Sequence, residues 1–167
     1  MTTPADDRSR LRPFWLAGAA AFLLDQLSKL VVVHGLGLAT VGRIDVIAPF
    51  LVFRMAWNRG INFGLFASHD QFVRFFLIAL AVGISAWIFL WVRGGRHRPA
   101  QVAAAGLVVG GALANAVDRI LYGAVADFIN VSCCGIRNPY AFNLADVAIF
   151  LGAAALVLMP GPAQNDP

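Results

Sequence analysis

GGALANAVDRILYGAVADFINV, residues 110–131, holds the end of an apolar helix and the polar groups that follow it. Gly111, Asn115 and Arg119 recur every fourth residue, so they stack on one helical face, where the glycine permits close approach of a neighbouring helix. Asp118 and Arg119 are consecutive and point in different directions; Asp118 reads as an interfacial charge. Gly123 interrupts the helix, and Asp127 arrives in the turn or extended piece beyond it, within the apolar run AVADFI. An acid so placed either snorkels to water or faces an internal polar site.

This helix is one of four apolar segments, at about 13–34, 72–92, 100–122 and 142–159, each near the roughly 20 residues that cross a hydrocarbon core. The chain is 59% hydrophobic and 13% charged, with a mean hydropathy of +0.72, which leaves too little polar surface to coat a soluble globule. The expected fold is a membrane all-α domain of four transmembrane helices occupying residues 1–167. No solenoid repeat or low-complexity tract interrupts it, and only the terminal PGPAQNDP reads as a disordered tail.

The formal charge of +4 does not describe a nucleic-acid footprint, because twelve of the thirteen cations are Arg gathered beside apolar spans. Arg8, Arg10 and Arg12 precede the first span, and Arg93, Arg96 and Arg98 separate the second and third. That bias places both segments, and hence both termini, in the cytoplasm. The stretches around 35–71 and 123–141 then lie outside, although Arg43, Arg54, Arg59 and Arg137 dilute the bias. A cleaved signal peptide begins in a similar way, but this first span is too long for one, carries Asp25 and Lys29, and leads to no clear cleavage site.

Residues 35–70 are punctuated by Gly, Pro and Asn, and in APFLVFRMAW the side chains of Leu51, Phe53, Met55 and Trp57 alternate onto one expected face. This predicts a small extracytoplasmic sheet. Phe50 and Val52 are apolar as well, so both faces are expected to be covered.

Every acidic residue is Asp. Asp25 lies 13 residues beyond Arg12, about 20 Å along a helix and so in the outer half of the bilayer. Lys29, the sole lysine, follows at i+4 in the favourable orientation for an ion pair. The pair either eases insertion of the helix or serves a site, and its cost in the membrane favours the second. The fourth span opens with FNLAD, where Asn143 and Asp146 share a face. Spans three and four meet at the same side, so Asp127 and Asp146 converge in depth. Two carboxylates in an apolar surround have their pKa values pushed apart, which suits a water-activating pair in which one takes a proton and the other polarises a carbonyl. Asn58 and Gly60 read first as a turn. Cys133 and Cys134 are adjacent and match neither a zinc spacing nor a disulfide framework, so they are expected to be structural or incidental.

In order along the chain, DQLSK (25–29), NRGINFG (58–64), GGALANAVDR (110–119), VADFIN (125–130) and FNLAD (142–146) resemble the motif series of the bacterial lipoprotein signal peptidases, or signal peptidase II. The resemblance covers most of the chain. It implies an intramembrane aspartic endopeptidase in the bacterial cytoplasmic (inner) membrane, with Asp127 and Asp146 catalytic and no metal or organic cofactor. The substrate implied is a prolipoprotein cut before its diacylglyceryl-modified cysteine. Asp25, Lys29, Asn58, Gly60, Gly111, Asn115, Arg119 and Asn143 match positions that line or support the family's site. Residues 35–70 match its β-cradle and short surface helix, and a monomer in contact with membrane lipid is expected. Ala114 and Asn62 depart from the pattern, which bears on packing and substrate fit. Two other readings of the same residues are a small transporter and a metal-dependent phosphate-handling enzyme using Asp118, Asp127 and Asp146 as magnesium ligands.

Overall fold

The computed structural model describes residues 4–60, 71–133, 135 and 138–159. Asn62 and Gly64 of the NRGINFG segment, Cys134, Arg137 and the tail from residue 160 onward lie outside the described residues. Helix α1 (Pro4–Lys29) runs into a π-helical turn (Leu30–Gly35) and the one-turn α2 (Leu38–Val41); β1 (Arg43–Ile47) and β2 (Leu51–Asn58) follow. Then come α3 (Gln71–Gly94), α4 (Pro99–Tyr122), β3 (Val125–Val131) and α5 (Leu144–Leu158). The first helix begins at Pro4, well before the expected Pro13, with a proline at its opening position where a missing N–H costs nothing.

Helix α4 is the hub, with α1, α3 and α5 packed around it. Its glycines make this possible: a Cβ on Gly110 would strike the backbone of Gly18 on α1, and one on Gly111 would lie 2.5 Å from the Ala145 carbonyl on α5. Phe14, Ile88, Val92, Val102, Ala105, Val108 and Val109 fill the core between α1, α3 and α4. Outward, Trp15, Leu24, Phe72, Trp87, Leu90, Phe150 and Val157 are exposed, an apolar exterior of the kind that faces lipid. Three helical segments are long and apolar enough to cross a membrane, Ser9–Gly35, Gln71–Gly94 and Pro99–Tyr122, and α5 is a shorter apolar helix of 15 residues.

The three strands form one antiparallel sheet in the order β1-β2-β3, over a second core of Val32, Val33, Leu38, Ala126 and Phe128. The shared face expected for Leu51, Phe53, Met55 and Trp57 does not extend through the strand. Phe53 pairs with Ile129 but Ala56 pairs with Asp127 and Trp57 with Ala126, so β2 carries one extra residue, a bulge that reverses which face its side chains take. Trp57 is thereby out of phase with Phe53. Ala56 and Asn58 instead share the face of Asp127.

Candidate functional site

The site is assembled where the sheet meets the helix ends. Gly123, with φ of 76°, closes α4 and sends the chain into β3, whose third residue is Asp127. On β2, Asn58 lies diagonally across from it and donates from Nδ2 to Asp127 Oδ2 at 3.0 Å. Asn58 Oδ1 accepts the Gly60 N–H at 3.1 Å, so the turn expected of an Asn-x-Gly sequence is present and holds the Asn58 amide in place.

Asn143 caps α5. Its Oδ1 accepts the Asp146 N–H at 2.8 Å, and Asp146 Oδ2 accepts the Asn143 N–H at 3.3 Å, a reciprocal capping box. Asn143 Nδ2 also donates to Asp127 Oδ1 at 2.6 Å and to Asn115 Oδ1 at 3.1 Å. Asn115 Nδ2 in turn donates to Asp146 Oδ1 at 3.0 Å. Four side chains from β3, α4 and α5 are thus joined in one network, with Asn143 touching both carboxylates. The expected stack on α4 is realised: Gly111 lets α5 approach, Asn115 reaches Asp146, and Arg119 donates to the Asn115 carbonyl at 3.3 Å and the Gly60 carbonyl at 3.1 Å.

The two acids differ in environment. Asp127 is 2% exposed, whereas Asp146 is half-buried. Burial, and then the negative charge of Asp146, push the Asp127 carboxyl up to about 7, against the opposing hydrogen bonds of Asn58 and Asn143 and the charge of Lys29. A carboxyl that still holds its proton near neutral pH beside a second, more accessible carboxyl is able to donate to one oxygen while its neighbour accepts from water.

Asp25 and Lys29 on α1 form a buried pair 2.5 Å apart that makes no side-chain hydrogen bond to Asp127 or Asp146 but adjoins them, Asp25 Oδ1 accepting the Ala145 N–H at 2.9 Å. Asp118 belongs with them. It is fully buried and 2.7 Å from Lys29, which corrects its reading as an interfacial charge: one lysine draws two acids inward. Gln26 completes the group, donating to Asp118 Oδ1 at 3.0 Å. Its position beside Asp25 was the available signal for Gln26, while nothing local to Asp118 points to α1.

Both Asp118 oxygens are occupied by Lys29, Gln26 and the Ala126 N–H, and among the described residues no group of three His, Cys, Asp or Glu side chains could hold a metal ion. The donor set therefore does not fit magnesium held jointly by Asp118, Asp127 and Asp146. Cys133 is disulfide-bonded, a state that the sequence spacing does not reveal.

Residues 17–160 match the family model described as signal peptidase (SPase) II. The lipoprotein signal peptidase of Rhodopseudomonas palustris is 41% identical over 146 residues, covering 85% of this chain and 87% of that protein. That of Methylorubrum extorquens is 40% identical over 143 residues, covering 86% and 82%. A solved bacterial membrane enzyme aligns with a TM-score of 0.71 at 25% identity, over 86% of this chain and 84% of its own.

Proposed function

The chain belongs to the signal peptidase II family, and from that premise we propose that it is an aspartic endopeptidase of the bacterial inner membrane that removes signal peptides from prolipoproteins. It cuts before the diacylglyceryl-modified cysteine. Asp127 and Asp146 are the catalytic pair. A water held between them loses a proton to one carboxylate while the other, still protonated, polarises the scissile carbonyl; the deep burial of Asp127 makes it the proton carrier. Asn143 and Asn115 orient the carboxylates, Asn58 and Gly60 support Asp127 from the sheet, and Arg119 ties that turn to α4. Asp25, Lys29 and Gly111 support the site from behind.

In this reading the chain is one integral domain of four spans, with α5 the fourth, both termini cytoplasmic and the sheet on the outer surface as a cradle for the substrate. The cluster of Arg around residues 93–98 supports that orientation, since short cytoplasmic loops carry the excess of cations. The enzyme acts as a monomer and uses no metal or organic cofactor. The observation that carries the reading is Asn143 bound at once to Asp127 and to Asp146. Cleavage of a diacylglyceryl prolipopeptide by purified protein, followed as a gel shift, tests it: Asp127→Asn and Asp146→Asn each abolish turnover, and retained cleavage in both excludes the pair.

A further inference from the structure

Two buried carboxylates outside the reacting pair each hold the backbone immediately before one of its members. Asp25 Oδ1 on α1 accepts the N–H of Ala145, the residue before Asp146, at 2.9 Å. Asp118 Oδ2 on α4 accepts the N–H of Ala126, the residue before Asp127, at 3.1 Å. Between the two acids stands Lys29, 2.5 Å from Asp25 Oδ2 and 2.7 Å from Asp118 Oδ2. Gln26 Nε2 spans the same gap, 3.0 Å from Asp118 Oδ1 and 3.3 Å from Asp25 Oδ2. All three charged side chains are buried.

Helix packing alone does not call for this arrangement. Asp25 and Lys29 already pair at i,i+4; a second buried carboxyl is one more polar group than that pair requires, and burying it in an apolar surround is costly. What Asp118 gains is the Ala126 N–H. Strand β3 is an edge of the sheet, so its outward N–H groups need partners elsewhere, and Asp118 supplies one next to the reacting residue. On the opposite side Asp25 does the same for the first turn of α5.

We propose that Asp118 is a positioning residue which, with Lys29 and Asp25, forms a brace that sets the separation of the Asp127 and Asp146 carboxyl groups. The proposal rests on the reading of those two aspartates as the catalytic pair. The brace acts behind the direct ties between the two segments, the Asn143 and Asn115 bonds and the Ile129–Phe142 bridge, and a proton-sharing pair tolerates little drift: a displacement of about 1 Å is able to cost on the order of 10²-fold in rate.

The test uses purified full-length enzyme and a diacylglyceryl prolipopeptide, with rates normalised to protein eluting as a folded monodisperse peak. Asp118→Ala is expected to lower kcat about 10²-fold with KM within about threefold. Asp118→Asn, whose amide oxygen is still able to accept from Ala126, falls between it and the wild type. Lys29→Arg, which keeps a cation able to meet both acids, retains more kcat than Lys29→Met. The alkaline limb of kcat against pH also moves to lower pH in Asp118→Ala by more than in Asp118→Asn, which removes the same charge but keeps the contact to Ala126, because a loosened brace admits water to Asp127; Asp146 from α5, Arg119 from α4 and Lys29 from α1 face that residue in both variants. A merely structural role lowers folded yield and leaves kcat and the pH profile of the folded fraction as in wild type. That result overturns the proposal, as does equal loss in Lys29→Arg and Lys29→Met. Cleavage by Asp127→Asn in the same assay overturns the underlying pair instead, and separates the two failures.

Discussion

Asn143 stands 2.6 Å from Asp127 Oδ1 through its side-chain nitrogen, while the same residue caps the helix that carries Asp146. Cap and bridge are separable by substitution. Asn143→Asp keeps an acceptor for the Asp146 N–H but loses the donor to Asp127, and it adds a charge. It is expected to retain helix stability and lose about 10²-fold or more in cleavage rate. Asn143→Ala loses both, with about 1 kcal/mol of stability in addition. Thermal melts in detergent and initial rates on the same preparations check this; equal activity in Asn143→Asp and wild type would remove Asn143 from the machinery.

Acidity gives a second prediction. The Asp127 carboxyl has its pKa raised from 3.8 to about 7 by burial and by Asp146, so activity that needs its proton declines as pH rises through about 7. The sign for stability follows from linkage. A raised carboxyl favours the folded state most below its unfolded value, and that advantage is lost as pH climbs from about 4 to about 7. Asp127→Asn is neutral throughout, so its melting temperature relative to wild type should rise between pH 5 and pH 8. A difference that stays flat or falls contradicts the assignment.

Gly111 bears on geometry alone. A Cβ there would lie 2.5 Å from the Ala145 carbonyl, which is backbone and has nowhere to fold away. Gly111→Ala should cost about 1–3 kcal/mol of stability and lower the cleavage rate of the folded fraction, since Ala145 precedes Asp146. Gly83 on α3 has open space around its Cβ position, and Gly83→Ala serves as the neutral control.

Chelation separates the proposed chemistry from metal-assisted hydrolysis. With EDTA present, cleavage of the prolipopeptide should proceed at an unchanged rate. Inhibition that magnesium reverses would sink the two-aspartate mechanism.

The apolar helices and the meeting of Asp127 with Asp146 through Asn143 were legible because apolar length and glycine punctuation are local signals. The stack of Gly111, Asn115 and Arg119 at four-residue spacing was legible for the same reason. The bulge in β2 was not, since an extra residue in one strand depends on its partner; the alternation of Leu51 through Trp57 accordingly failed after Phe53. Asp118 was misplaced because its burial is decided by Lys29, 89 positions earlier in the chain. Gln26 escaped notice as an uncharged neighbour of a conspicuous ion pair.

The 15 residues of α5 span only about 22 Å at a rise of roughly 1.5 Å each, against a hydrocarbon thickness of roughly 30 Å. With α5 as the proposed fourth span, lipid beside it thins, or flanking groups stretch toward the headgroups, to relieve the mismatch. Where lipid thins, the dimple lies against the helix whose first turn carries Asp146. A lipid-anchored peptide drifting in the leaflet would meet its scissile bond there with fewer ångströms of oil to cross.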